Sequence, residues 1–143
     1  MTRNADAERE FREAIGRATN NGDLHYSLGL LLAEEKRLDE SAEELGKAAT
    51  LMPERPRVQY NYALALQQVG RMKEAEAAWL KAYQLNPQDP DVLNALTLFY
   101  AQQQKWDQAL PYAQALVKLT PGAPEPAQML KRIEAERAGR GSR

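Results

Sequence analysis

The sequence predicts an all-α protein built of stacked helix pairs, and three observations carry that prediction. Pro53, Pro87 and Pro121 stand 34 residues apart, and whole columns of residues share the same step. Leu24, Val58 and Val92 form one such column, and Leu28, Tyr62, Leu96 another; Leu30, Leu64, Leu98 and Leu32, Leu66, Tyr100 follow. Within one unit Leu24, Leu28, Leu31 and Leu32 recur at three and four residues, the spacing of one helix face. The prolines close each unit, because proline lacks the N–H a helix needs and pushes the preceding residue out of helical geometry.

The elements follow in order. Residues 1–21 hold a helix in which Ala7, Phe11 and Ala14 lie one step before Ser41, Leu45 and Ala48, so it is in phase with second helices and lacks a first helix of its own. It reads either as a natural cap or as the start of a piece cut from a longer repeat protein. Units at 22–55, 56–89 and 90–123 each carry a first helix, spanning about Asp23–Glu35, Arg57–Val69 and Asp91–Gln103. Lys36-Arg37, Gly70-Arg71 and Gln104-Lys105 break the chain, and Asp39 and Asp107 are candidate caps of the second helices. Pro111 falls in or just after a first helical turn, where a missing N–H costs least. The column Gly29, Ala63, Thr97 is small enough for two helices to approach closely. Residues 124–138 form a closing helix, with Ala127, Leu130 and Ile133 as a narrow apolar stripe beside Lys131, Arg132, Glu134 and Glu136. A polar-backed lid over the last apolar face is the expected role, with dimerisation as the alternative. Residues 139–143 read as a flexible tail.

These residues resemble the tetratricopeptide repeat (TPR) family, on the 34-residue period, the Leu28-Gly29 pair, the small residues Ser41, Ala75, Ala109, Ala48 and Ala82, and the closing prolines. The resemblance covers about residues 22–123 and has a bacterial style. It implies a right-handed α-solenoid of antiparallel helix pairs: three TPR units with an N-terminal helix and a C-terminal capping helix. Two features depart from the family pattern. His25, Gln59 and Leu93 stand where the family has a large aromatic, and the large-then-small pair Leu45/Ala48 and Trp79/Ala82 is reversed as Ala113/Leu116.

Composition excludes several functions. Nineteen Lys and Arg against 20 Asp and Glu leave a net charge of −1, without the basic excess that nucleic-acid binding needs. Cysteine is absent, which removes disulfides, thiolate metal sites and cysteine nucleophiles, and the single His25 cannot build a multi-histidine zinc site. No apolar run approaches the ~20 residues that cross a bilayer. There is no glycine-rich phosphate loop and no nucleophile elbow. Glu34-Glu35 and Glu43-Glu44 read as solvated pairs, Trp79 and Trp106 as core, and His25 as a packed residue. No enzyme, cofactor or metal is expected.

Function therefore falls to the surface that repetition builds. The resemblance places a concave groove on the first helices, with Tyr26, Leu30, Arg57, Tyr60, Leu64, Gln67, Gln68, Asn94, Leu98 and Gln102 facing a partner. Leu30, Leu64 and Leu98 lie two residues from a core column, about 200° around a helix, so they point away from its buried side unless neighbouring helices cover them. The expected partner is a protein or peptide segment, extended or helical. Some TPR modules grip a C-terminal carboxylate with Lys, Arg and Asn; here Arg57 stands beside Asp23 and Asp91 and two positive anchors are missing, so carboxylate capture is not expected. The alternative is an assembly or oligomerisation domain of a larger multi-domain protein or of a secretion, pilus or cytochrome-maturation complex, with self-association. An intact chain without a targeting segment would be cytoplasmic, and an excised domain could equally be periplasmic.

Overall fold

The computed structural model describes residues 3–141, which fold into eight helices and no strand among the described residues. They are α1 (Arg3–Arg17), α2 (Gly22–Glu34), α3 (Leu38–Leu51), α4 (Pro56–Gln68), α5 (Met72–Leu85), α6 (Pro90–Gln102), α7 (Trp106–Leu119) and α8 (Pro124–Gly141). Helices α2, α4, α6 and α8 start at residues 22, 56, 90 and 124, the constant step of 34 read from the prolines. By that register α8 is a first helix, as α1 is a second helix. The fold is an all-α helical repeat.

The chain divides into two compact units, one ending at Leu85 and the other starting at Asn86. In the first, α2 packs on α3, α3 on α4, α4 on α5, and α1 lies against α2. Its core is the set of repeat columns: Leu28, Leu32, Leu45, Leu66 and Trp79 are all essentially inaccessible. A Cβ on Gly29 would come within 2.7 Å of the Leu45 side chain, which shows the close approach that the small column predicts. Ser41 exploits it, donating from Oγ to the Gly29 carbonyl at 2.7 Å and so pinning α3 to α2. Arg37 ties α1 in. Its guanidinium donates to Glu8 of α1 at 2.6 Å, to Glu35 at 3.2 Å and, through Nε, to Glu40 at 2.6 Å.

In the second unit α6 packs on α7 and α7 on α8. Val92, Leu93, Leu96, Ala109 and Ile133 are fully buried, so the narrow stripe of α8 does cover apolar surface. Phe99 meets Tyr100 edge-on at 5.3 Å, and Tyr100 stacks on Tyr112 at 6.0 Å. Trp79 and Trp106 are both core residues.

The turns between first and second helices repeat one geometry. Lys36, Gly70 and Gln104 hold φ of 62°, 83° and 58°, and in each turn the following N–H reaches back to a carbonyl of the last helical turn: Arg37 to Leu32, Arg71 to Leu66, Lys105 to Tyr100. This is the left-handed helix-ending motif. Because the turn is so short, α3 and α7 begin at Leu38 and Trp106, with Arg37 and Lys105 at the cap position and no side-chain cap bond. Asp39 and Asp107 therefore lie inside the first turn instead of capping it, where their charge still favours the helix N-terminus. The side-chain caps sit on first helices: Asn21 accepts from Asp23 and Leu24, and Asp89 from Asp91. Pro111 is the sixth residue of α7, two residues deeper than its spacing from Asp107 implied, and the helix runs through it. Helical structure also continues through Gly141, so the flexible tail expected from residue 139 is helix as far as the described residues extend.

Candidate functional site

The first-helix face of the first unit is built on α2 and α4. Tyr60, Leu64, Gln67 and Gln68 recur at one- and two-turn spacings along α4, so their side chains share one face. Leu64 is 38% exposed while Leu66, two residues on, is fully buried. Tyr60 is held from both sides: the Arg57 guanidinium lies 4.6 Å from its ring centre, and Trp79 meets it edge-on at 5.0 Å. Trp79 is itself fixed by donating from Nε1 to the Gln67 Oε1 at 3.1 Å. On α2, Tyr26 rests on the core and its hydroxyl accepts from Asn61 Nδ2 at 2.7 Å, joining the two first helices. Rings and amides on this face are thus orientated before any ligand arrives.

Leu30 and Leu64 do not behave alike. Leu30 is half-buried against Ala42, Leu45 and Ala65, because the neighbouring first helix covers it, whereas Leu64 stands open. Asp23, one step before Arg57, is engaged by Arg55 at 2.6 Å.

In the second unit Asn94 and Gln102 are exposed on α6 and Leu98 is half-buried. Asn94 and Leu98 line a cleft of about 430 Å³ whose other walls come from α7 and α8, among them Leu116, Glu125 and Met129. Sequence reasoning missed Glu125 and Met129, since residues 124–138 were read as a lid or a dimerisation helix and not as part of a partner-facing surface. The repeat step contained the signal, because Glu125 falls one step after Asp91.

The carboxylate pairs separate. Glu43 is exposed, but Glu44 is buried, against the expectation that both are solvated. Its Oε2 lies 2.7 Å from His25 Nδ1, and His25 Nε2 lies 2.8 Å from the Thr19 carbonyl. This cluster is a structural staple between α2, α3 and the turn after α1. Glu8 and Glu40 are each held below the ordinary glutamate range, chiefly by hydrogen bonds from Arg37, and those bonds raise Arg37 in turn. Among the described residues no group of His, Asp and Glu is placed to hold a metal, and no helix is long and apolar enough to cross a membrane.

The first-helix face of the first unit thus sets fixed rings and amides around an open leucine, and comparison with known proteins places the fold that carries it. A search of curated sequences matches the type IV pilus assembly protein PilF of Pseudomonas aeruginosa, 32% identical over 101 residues and 68% of this chain. The chain spans about 40% of the length of that relative. Among solved structures a MamA protein superposes with a TM-score of 0.84 at 19% identity, over 94% of this chain and 74% of that one. YrrB, described as a TPR protein with an unusual peptide-binding site, gives 0.75 at 20% identity, over 89% of this chain and 66% of that one. The tetratricopeptide repeat family profile matches residues 1–56, 47–91 and 60–124. Matched along most of its length, with the period, the small columns and the turns all in place, the chain belongs to the tetratricopeptide repeat family.

Proposed function

We propose that this chain is a protein-interaction scaffold whose first-helix faces bind a peptide or helical segment of a partner. The observation that carries the reading is Leu64. It is the one exposed large apolar side chain on a first helix among the described residues, and it stands a turn from Tyr60 and Gln67, which are already fixed in place. Leu51, Met72 and Leu119 are as exposed but lie on second helices. Pre-orientated aromatic and amide groups around an open leucine lower the ordering cost of binding and offer an anchor for an apolar side chain.

On this reading Tyr26, Leu30, Arg57, Tyr60, Leu64, Gln67 and Gln68 contact the partner in the first unit, and Asn94, Leu98 and Gln102 in the second. Leu30, being half-covered, contributes shape more than area. The partner is a protein or peptide, and the role assigns the chain no catalytic step.

The test is a peptide-display selection on the immobilised chain, followed by affinity measurements with Leu64→Asp and, as a matched control, Leu51→Asp. Leu64→Asp is expected to weaken the selected ligand by about tenfold or more with helicity unchanged, while Leu51→Asp leaves it as it was. Equal affinities for both variants would end the first-helix reading.

A further inference from the structure

Trp106 is 7% exposed, and its indole Nε1–H is the one buried side-chain donor among the described residues that meets no acceptor. Trp79, the other tryptophan, donates to Gln67 at 3.1 Å. A donor enclosed without an acceptor costs the desolvation of that group, and a ligand that brings an acceptor recovers it. Trp106 lines a cleft of about 790 Å³ formed by the α6–α7 turn, the start of α7 and the last turns of α8. We infer that this cleft binds an acidic side chain of a partner segment, with Trp106 Nε1 and the Arg140 guanidinium as donors and Lys105 beside them. The volume lies in the range of clefts that take whole ligands and exceeds what a single small anion fills. None of the first-helix contacts proposed above lines the cleft, so the inference is independent of that reading.

Charge decides which acceptor is favoured. The start of α7 has no side-chain cap, and its partial positive charge favours an anion. The end of α8 brings an opposite partial charge, so the two helix ends offset each other and the side chains settle the sign. Lys105, Arg137 and Arg140 line the cleft with Asp107 and Glu134, an excess of one positive charge. Arg137 and Asp107 engage each other. Arg140 Nη2 donates to the Gln104 amide oxygen at 2.7 Å, a neutral partner that leaves its charge uncancelled and its remaining donors for a carboxylate. One excess charge matches one carboxylate and is too little for a dianion such as phosphate. On the α8 side the wall is made of Arg137 and Arg140, exposed side chains whose rotamers exchange rapidly and can turn to admit the acceptor.

Two-dimensional NMR of the full 15N-labelled chain tests this, because the Trp106 indole N–H gives its own resonance and that of Trp79 serves as an internal reference. The probes are a capped seven-residue peptide with a central glutamate, its glutamine counterpart, and sodium acetate. The glutamate peptide is expected to move the Trp106 indole resonance saturably and to leave that of Trp79 in place, with the glutamine peptide binding about tenfold more weakly and acetate more weakly than the glutamate peptide. In Arg140→Gln the glutamate peptide should lose about tenfold in affinity, and an unchanged melting temperature verifies folding at this exposed position. A Trp106 resonance that the glutamate peptide does not move overturns the inference, as does equal binding of the glutamine peptide or an affinity that Arg140→Gln leaves unchanged. Acetate binding as tightly as the glutamate peptide overturns the assignment to a partner segment. The scaffold reading is judged separately by Leu64→Asp in the first unit, whatever Trp106 reports.

Discussion

Lys36 and Gln104 hold left-handed backbone, the conformation that Gly70 supplies in the middle repeat. A side chain there carries a steric penalty that glycine avoids, partly offset by glycine's greater entropy in the unfolded chain. Lys36→Gly and Gln104→Gly should each stabilise the protein by about 0.5–1 kcal/mol, and Gly70→Ala should cost about 1 kcal/mol, read by chemical denaturation. At the same scale, Glu43 and Glu44 are indistinguishable as letters and opposite in role. Glu44→Ala strands buried His25 and should cost about 3 kcal/mol, whereas Glu43→Ala should stay within about 0.5 kcal/mol. Helical spacing held the signal, since Glu44 lies three residues after Ser41 and four before Ala48 on the buried face of α3, but its partner His25 is set by the packing of α2.

Individual helices were legible where a repeating column identified them. The buried faces of α2 to α7 follow from the 34-residue columns, and α1 follows from extending them backwards to Ala7, Phe11 and Ala14. The cap positions of α3 and α7 were not, since the left-handed turn starts each second helix earlier than a capping aspartate would. What holds α1 is a charge cluster centred on Arg37, with Glu8 also accepting from Arg12 Nε at 2.9 Å. Glu8 and Glu40 are held below the usual glutamate range, so their contribution is complete above the unfolded value of about 4.3 and is lost as pH falls through the lower folded values. Protection factors of the α1 amides should therefore fall below about pH 4 relative to neutral pH, while those of α4 and α5 change less. Arg37→Gln should bring the lowered acid-state protection of α1 to neutral pH, and an α1 that stays protected in that variant would contradict this account of its docking.

For the molecule as a whole, repetition fixes the columns, and departures from strict repetition fix the surface. The step that buries Leu28 and Leu96 and half-buries Tyr62 leaves Leu30 half-covered and Leu64 open, because exposure depends on the neighbours each helix has and not on its own spacing. The partner face was therefore readable as a set of columns, but not as a ranking of contacts within them. The cleft in the second unit was hidden for the same reason, as Glu125 comes to line it only when α8 is seen as a first helix in register with α6. The central claim is that first-helix faces are the binding surface. Its most direct test is NMR chemical-shift mapping of a display-selected peptide onto the labelled chain. The account predicts the largest shifts at Tyr26, Tyr60, Leu64 and Gln67, with the second-helix positions Leu51 and Met72 nearly unmoved. Shifts concentrated on α3 and α5 in place of α2 and α4 would contradict it.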